Sequence, residues 1–234
     1  EYAFRRLTEA NPFPSVMGRV CPAPCETGCN RNEVEDHVGI NSVEHYLGEY
    51  AIANKLGFVA PQAKTGKKVA VIGGGPAGLS CAYQLALKGH AVTVFDEHEM
   101  LGGMMRYGIP GFRTPREVLD AEIQRIVDLG VDVRLNCRIG TDVTLEQLRQ
   151  DYSAVFLGMG AQSGRPLPAP GGDAPNVVTA TAFLKAFNDG RLRHVGKRVV
   201  VIGGGDTSID VATVARRLGH IGHAKPTDFP ELAI

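Results

Sequence analysis

The sequence predicts an α/β fold with two Rossmann-like dinucleotide-binding domains, the second incomplete, preceded by a small α-helical domain. Three observations carry this prediction. A buried-strand pattern runs into the spacing G-x-G-x-x-G at 68–78, and a similar strand runs into a glycine-rich turn at 197–208. Three cysteines crowd into 21–29, ahead of both turns. A glycine-rich turn between a strand and a helix predicts binding of a dinucleotide pyrophosphate.

The first glycine-rich turn has every part of a dinucleotide site. Val69–Ile72 predicts a strand buried on both faces. The turn itself is Gly73, Gly74, Gly75, Pro76, Ala77 and Gly78. Its three fingerprint glycines allow a tight turn, close backbone approach to the pyrophosphate and tight packing of the next helix. A second strand over 91–95 ends in Asp96, placed to bond two ribose hydroxyls, which favours a dinucleotide site over a plain β-turn-α connection.

Composition argues against several classes of partner. Lys and Arg number 25 and so do Asp and Glu, so we expect neither nucleic acid nor a membrane as partner. Five cysteines at this spacing are unlike a disulfide framework and indicate a reducing compartment, which we expect to be the cytoplasm. The chain does not begin with Met, and we expect a fragment.

The cysteine-rich segment predicts a metal-binding loop. Cys21, Cys25 and Cys29 are separated by prolines that disfavour a regular helix, so we expect a loop that gathers the three sulfurs. Gathered thiolates suit an iron–sulfur cluster or a zinc ion, the latter with His37 as fourth ligand. A helix is predicted from Asn41 to about Leu56, where Glu44 can complete a capping box.

The remaining chain predicts four domain segments. We expect a helical cysteine-bearing domain over 1–60, a linker over 61–66, the first dinucleotide domain over 67–190 and the truncated start of a second over 191–234. Within the first, the glycine-rich stretch 102–113 predicts backbone close to a flat ligand. A helix with a capping box at 114–117 should run to 129, followed by strands near 131–135 and 154–157 and a short helix between them. A glycine pair, Gly158 and Gly160, follows the last strand at the ligand-binding edge of the sheet.

The second glycine-rich turn predicts a half-built site. A strand is expected over 197–202, then the turn and a helix to Leu218, with no strand beyond it. His220 and His223 are interpreted as part of a solvated loop. Without its next strand, the site should bind NADH and NADPH weakly and discriminate little between them. No Ser-His-Asp, Cys-His or paired-carboxylate arrangement stands out, so no catalytic residue is predicted.

These motifs together resemble the glutamate synthase small-subunit family, which includes the amino-terminal half of dihydropyrimidine dehydrogenase. The resemblance is carried by 18–29, 69–78, 102–110, 112–115 and 199–208, in the family's order. It implies an iron–sulfur domain followed by an FAD domain with an inserted NAD(P)H domain. The family's upstream cysteines and closing FAD segment are absent here, so we expect an incomplete ligand set for its [4Fe-4S] clusters.

The resemblance also implies site residues. FAD would be held by residues of the first glycine-rich turn and by Asp96, Gly103, Met104, Arg113 and the backbone near Ile139. Gly160, at the ligand-binding edge of the sheet, is also expected to bind a cofactor, although the resemblance does not assign it to FAD. NAD(P)H would use Gly203, Gly205, Asp206, Thr207 and Ser208. Cys21 and Cys25 would bind one cluster and Cys29 another, while Glu44 is either a cluster ligand or a helix cap.

The resemblance implies an oxidoreductase in which hydride passes from NAD(P)H to FAD and electrons then pass to the clusters. The expected partner is a larger catalytic or electron-accepting subunit. An alternative from another class stays open at this point: an inactive nucleotide-binding scaffold that docks a catalytic partner.

Overall fold

The computed structural model describes residues 1–221, which form two compact units. The first unit consists of 1–102 and 113–159, and the second of 103–112 and the chain from 160 onward. The cysteine-bearing segment thus shares a unit with the first glycine-rich turn. The predicted functional boundaries near 60, 66 and 190 differ from those of the compact units and stay a prediction.

The described chain alternates helices and strands as the sequence predicts. Its helices are α1 (Tyr2–Thr8), α2 (Pro14–Val20), α3 (Pro24–Thr27), α4 (Ile40–Ala53), α5 (Pro76–Leu87), α6 (Met104–Tyr107), α7 (Arg116–Val127), α8 (Leu145–Asp151), α9 (Ala180–Asn188) and α10 (Asp206–Arg217), with a 3-10 turn at Asn30–Glu33. Its strands are β1 (Lys68–Ile72), β2 (Ala91–Phe95), β3 (Asp132–Arg134), β4 (Ala154–Leu157), β5 (His194–Gly196) and β6 (Gly219–Ile221).

A four-stranded parallel sheet in the order β3-β2-β1-β4 forms the centre of the first unit. Val71 on β1 faces Val94 on β2 and Phe156 on β4. This order is the start of the doubly wound arrangement, in which ligands bind beyond the carboxyl ends of the strands. The predicted fold class is confirmed.

The two central strands of the sheet, β1 and β2, are apolar and largely buried. Four of the five β1 residues are buried, and so are four of the five in β2. On one face Ile72 and Phe95 pack with Leu148 of α8. Burial on both faces explains why these strands read as continuous β-branched runs rather than as alternating patterns.

Hydrogen bonds join the amino-terminal helices α1 and α2 to the sheet-bearing part of the first unit. The Tyr83 hydroxyl on α5 donates to the Thr8 carbonyl at the end of α1 over 2.7 Å. Glu122 on α7, which is fully buried, accepts from the backbone N–H groups of Ser15 over 2.8 Å and Val16 over 3.0 Å. These N–H groups lie in the first turn of α2, where no intrahelical acceptor exists. Glu122 therefore caps a helix that lies more than a hundred residues earlier in the chain.

The second unit has its own apolar core between α9 and α10. Phe183, Leu184, Val211 and Val214 are buried there together with Val195 of β5. Strands β5 and β6 pair in parallel, with Val195 opposite His220. The prediction of no strand beyond the helix is therefore wrong, since β6 follows it directly, and His220 lies in this strand rather than in a loop. His223 lies outside the described residues.

The predicted strand over 197–202 is also wrong, because these residues pair with no strand in the part of the chain that is described. Val200 is 85% exposed. A strand exists only where a neighbour completes its hydrogen bonds, and the apolar run alone does not supply one.

Two predicted capping boxes do not form. Helix α4 starts one residue before Asn41, with Gly39 as its N-cap, and Glu44 accepts instead from the Asn11 side-chain amide. At α7 the N-cap is Pro115, and the buried Thr114 hydroxyl has no hydrogen-bond partner. A real capping box is present at α8, where Thr144 and Gln147 bond each other's backbone. Among residues 1–221, no helix is long and apolar enough to cross a membrane.

Candidate dinucleotide site

The first glycine-rich turn lies at the carboxyl ends of β1, β2 and β4. Gly73 has φ +102°, and a Cβ atom there would lie 2.3 Å from the Gly158 carbonyl oxygen. A Cβ atom on Gly78 would lie 1.8 Å from the Gly73 carbonyl oxygen. Side chains cannot be accommodated at either place, so the turn holds its helix, its strand and the end of β4 in direct backbone contact. The roles predicted for the first and third glycines agree with this geometry.

Helix α5 begins directly after this turn, and its N-terminus has no side-chain cap. Gly75 is its N-cap, Pro76 occupies the first helical position, and no side chain caps the helix. The backbone N–H groups of Ala77 and Gly78 follow in the first turn, where they lack intrahelical acceptors. With the positive end of the helix dipole, they form an anion-binding site suited to a pyrophosphate.

Asp96 closes the site from the end of β2. Its side chain is 9% exposed, and its Oδ2 atom accepts from the backbone N–H of Gly74 over 2.6 Å. Its Oδ1 atom accepts from the backbone N–H of His98 over 2.8 Å and lies 2.9 Å from His98 Nδ1. A buried carboxylate beside the glycine turn suits a ribose hydroxyl. Gly74 in turn accepts from the backbone N–H of Gly102 over 2.8 Å.

The other cofactor-binding residues predicted in the first dinucleotide domain are divided between the two units. Arg113 and Ile139 belong to the first unit, where Ile139 packs against the apolar cluster beneath the sheet. Gly103, Met104 and Gly160 belong to the second unit, where Gly103 is the N-cap of α6 and has φ +50°. The assignment of Arg113, Ile139, Gly103 and Met104 to FAD, and of Gly160 to cofactor binding, stays a prediction.

The second glycine-rich turn is followed by the predicted helix, but the strand predicted before it, over 197–202, is not formed in the described chain. Helix α10 has Gly205 as N-cap and no side-chain cap, and its first residues are Asp206, Thr207 and Ser208. Gly203 has φ +121°, and a Cβ atom there would lie 2.7 Å from the Ser208 hydroxyl oxygen. The helix N-terminus can therefore receive a phosphate, while the strand that should lead into the turn is unpaired in the described chain.

The cysteine segment does not form the predicted common centre. Cys25 lies in the single turn α3, where Pro24 is tolerated at the first helical position, and Cys21 and Cys25 are exposed. Across residues 1–221, no three His, Cys, Asp or Glu side chains come close enough to hold a metal ion. The residues as placed do not fit a closed cluster or zinc site, and the ligand roles of Cys21, Cys25 and Cys29 stay predictions.

Two local interactions bear on the proposed metal ligands. Backbone N–H groups of Val38, Arg31 and Asn32 hold the pKa of the Cys29 thiol below its ordinary value. Glu44, predicted as either ligand or cap, is not a cap here. His37 was predicted as the fourth ligand of a zinc ion. Its Nε2 atom lies 3.2 Å from Glu26 Oε2, so the ring contacts a carboxylate.

The sequence patterns did not identify His98 as a residue that contacts the Asp96 carboxylate. The signal was available, since an Asp two residues before another residue can accept that residue's backbone N–H in an Asx-turn. Glu122 was missed as well, and no local pattern could reveal it, because its partners Ser15 and Val16 are distant in sequence.

Two family profiles match the chain. The family described as pyridine nucleotide-disulphide oxidoreductase matches residues 67–225, and the one described as dihydropyrimidine dehydrogenase domain II, 4Fe-4S cluster, matches residues 1–56. The boundary between the two matched ranges lies after helix α4 and before the first glycine-rich turn, which we also call the first fingerprint.

Curated relatives extend across almost the whole chain. The NADPH-Fe(3+) oxidoreductase subunit beta of Geobacter sulfurreducens is 42% identical over 214 residues, covering 89% of this chain and 32% of the relative. The glutamate synthase [NADPH] small chain of Mycobacterium tuberculosis is 39% identical over 235 residues, covering 94% of this chain and 48% of the relative. The chain thus spans between about a third and a half of these relatives' length.

A solved structure shares the fold. FprA from Mycobacterium tuberculosis, in complex with NADPH, superposes with a TM-score of 0.54 at 24% identity, covering 63% of this chain and 36% of FprA. At this identity the likeness concerns the fold alone.

Proposed function

The chain belongs to the pyridine nucleotide-disulphide oxidoreductase family, and on that premise we propose that it is the NAD(P)H-oxidising part of a flavin and iron–sulfur electron-transfer enzyme. The resemblance to the glutamate synthase small-subunit family is confirmed by the relatives. The observation that carries the proposal is the first fingerprint: an uncapped α5 N-terminus, glycines in backbone contact and the buried Asp96 meet at one edge of a parallel sheet.

The first fingerprint fits FAD. The α5 N-terminus would bind the pyrophosphate, and Asp96 would bind the adenosine ribose. When bound, flavin accepts hydride from a reduced nicotinamide and releases its electrons singly. The protein's own contribution is to bind and orient, which agrees with the absence of any predicted catalytic side chain.

The second fingerprint is proposed to receive NAD(P)H. Its supporting feature is the α10 N-terminus after Gly203 and Gly205, which has no side-chain cap and whose first backbone N–H groups, those of Asp206 and Thr207, can bind a phosphate. Asp206 opens the helix, and a choice between NADH and NADPH does not follow from these residues.

The [4Fe-4S] clusters are part of the proposal through the family match over 1–56 and the three cysteines. Because the thiols are not gathered, no step is assigned to them. The names of the relatives, a subunit beta and a small chain, support a larger partner subunit as electron acceptor. Three cysteines that lie close together in the sequence, none of them in a disulfide in the described part of the chain, also support a cytoplasmic site of action.

Cofactor analysis tests the proposal. The natural protein is purified without oxygen, its flavin is extracted and identified, and its iron and sulfide are counted. We expect FAD, and we expect NADPH or NADH to bleach the flavin absorbance. A colourless protein that binds nucleotide but no flavin would instead support the alternative of an inactive scaffold for a catalytic partner.

A further inference from the structure

His98 contacts the Asp96 carboxylate twice, through one oxygen. The backbone N–H of His98 donates to Oδ1 over 2.8 Å, and its ring nitrogen Nδ1 lies 2.9 Å from the same atom. An ionised carboxylate can only accept hydrogen bonds, so Nδ1 is the donor and carries the proton. The pair resembles the histidine–carboxylate arrangements that fix ring orientation elsewhere.

These bonds divide the Asp96 carboxylate into two different oxygens. Each carboxylate oxygen accepts about two hydrogen bonds. His98 supplies two to Oδ1, whereas Oδ2 receives one from Gly74 over 2.6 Å. The remaining acceptor capacity of Asp96 therefore belongs to Oδ2, the oxygen bonded to the glycine turn.

His98 also has a fixed position of its own. Its carbonyl accepts from the backbone N–H of Asn136 over 3.0 Å, and the Asp96 carbonyl accepts from that of Cys137 over 2.9 Å. The Asp96 backbone N–H donates to the Arg134 carbonyl over 3.0 Å. The turn that holds His98 is thus tied to β3 and the segment after it. The terminal torsion of an aspartate is otherwise broad, so the plane of its carboxylate needs such external contacts.

We propose that His98 is a positioning residue of the dinucleotide site, which occupies Oδ1 of Asp96 so that Oδ2 is presented to a ribose hydroxyl. The inference rests on the proposed binding of FAD at the first fingerprint. It deepens that proposal, because it makes the ribose contact depend on a residue outside the fingerprint.

FAD titration of the apoprotein, followed by flavin fluorescence, tests this without any turnover. We expect His98→Ala to weaken FAD binding about tenfold, as for a hydrogen bond to a charged group. His98→Asn places an amide donor near the position of Nδ1 and should bind within about threefold of wild type. The matched control is Glu97→Ala, because Glu97 is half-exposed and pairs with Arg138 away from Asp96; it should not change the affinity.

A double-mutant cycle separates positioning from a merely structural effect. If His98 acts through Asp96, His98→Ala should cost no further affinity in an Asp96→Ala background, to within about twofold. Should His98→Ala not fold, His98→Gln replaces it, since its longer side chain carries the amide beyond the Nδ1 position and should weaken binding similarly.

Three results would overturn the inference. These are unchanged affinity in His98→Ala, an equal loss in the Asp96→Ala background, or failure of His98→Asn to restore binding. If Asp96→Ala itself binds FAD like the wild type, the proposed FAD site fails and the inference fails with it. If Asp96→Ala weakens binding but His98→Ala does not, only the inference fails.

Discussion

The Asp96 carboxylate accepts a 2.6 Å hydrogen bond from the backbone N–H of Gly74, joining the end of β2 to the glycine turn after β1. The bond lies in a buried place, since Asp96 is 9% exposed. It brings the residue expected to bind ribose against the turn expected to bind pyrophosphate. The two halves of the proposed FAD site are therefore one hydrogen-bonded unit.

Removing this carboxylate should weaken FAD binding. Asp96→Ala loses a charged acceptor for the ribose and for Gly74, and we expect a loss of roughly 1.5–3 kcal/mol in binding free energy. Titration of the apoprotein with FAD measures it. Asp132→Ala, which removes an exposed carboxylate from the neighbouring strand β3, is the control and should bind normally. Equal affinity of the two variants would argue against the assignment.

Adding a methyl group at Gly78 should damage both fold and site. Its Cβ would lie 1.8 Å from the Gly73 carbonyl oxygen, so helix and strand must separate. We expect Gly78→Ala to lower the free energy of unfolding by about 2–3 kcal/mol and to reduce bound FAD. Chemical denaturation and flavin content measure these effects. Gly57→Ala is the control, since its Cβ would meet no atom within 4 Å; a Gly78→Ala protein as stable as this control would contradict the packing.

Glu122 should make stability depend on pH. Burial raises its pKa to about 7, although the N–H groups of Val16 and Ser15 and the charge of Arg125 act to lower it and Glu49 acts to raise it. Arg19 and His45 also face this region, through Glu49. A raised folded-state pKa favours folding most below the ordinary value of 4.5, and this contribution is lost as the pH rises through about 7.

We therefore compare wild type with Glu122→Gln by denaturation across this range. The free energy of unfolding of wild type, relative to the variant, should fall by about 3 kcal/mol between pH 4.5 and 7. Glu117→Gln, at an exposed position in the first turn of the same helix, should show the wild-type pH dependence. Parallel curves for wild type and Glu122→Gln would show that the carboxyl titrates normally.

The second fingerprint should bind nicotinamide nucleotides weakly in this chain. Residues 197–202 pair with no strand among the described residues, and Val200 is 85% exposed. The turn before α10 is therefore not held in place by a paired strand. Calorimetric titration of residues 1–234 with NADH and with NADPH should show weak binding and little discrimination. Tight binding of either nucleotide would mean that the turn is competent without a paired strand.

The sequence predicted what local patterns determine. Strands β1, β2 and β4 follow from short apolar runs, and the close packing at Gly73 and Gly78 follows from the spacing of the glycines. The sequence did not correctly predict features that depend on contacts with residues distant in the chain. The strand predicted over 197–202 found no neighbour, and Glu44 bonds Asn11 rather than its own helix. Glu122 could not be recognised at all, since the amides that it caps lie far away in sequence.

Reduction of the flavin by a reduced nicotinamide tests the central claim most directly. The natural protein, purified without oxygen, is mixed rapidly with NADPH or NADH carrying deuterium or hydrogen at the transferred position, and its absorbance is followed. We expect the flavin bands to bleach, and to bleach more slowly with deuterium than with hydrogen at the transferred position. Flavin that stays oxidised, or that bleaches at the same rate with hydrogen and with deuterium, would contradict the proposal that hydride passes from the nicotinamide to FAD.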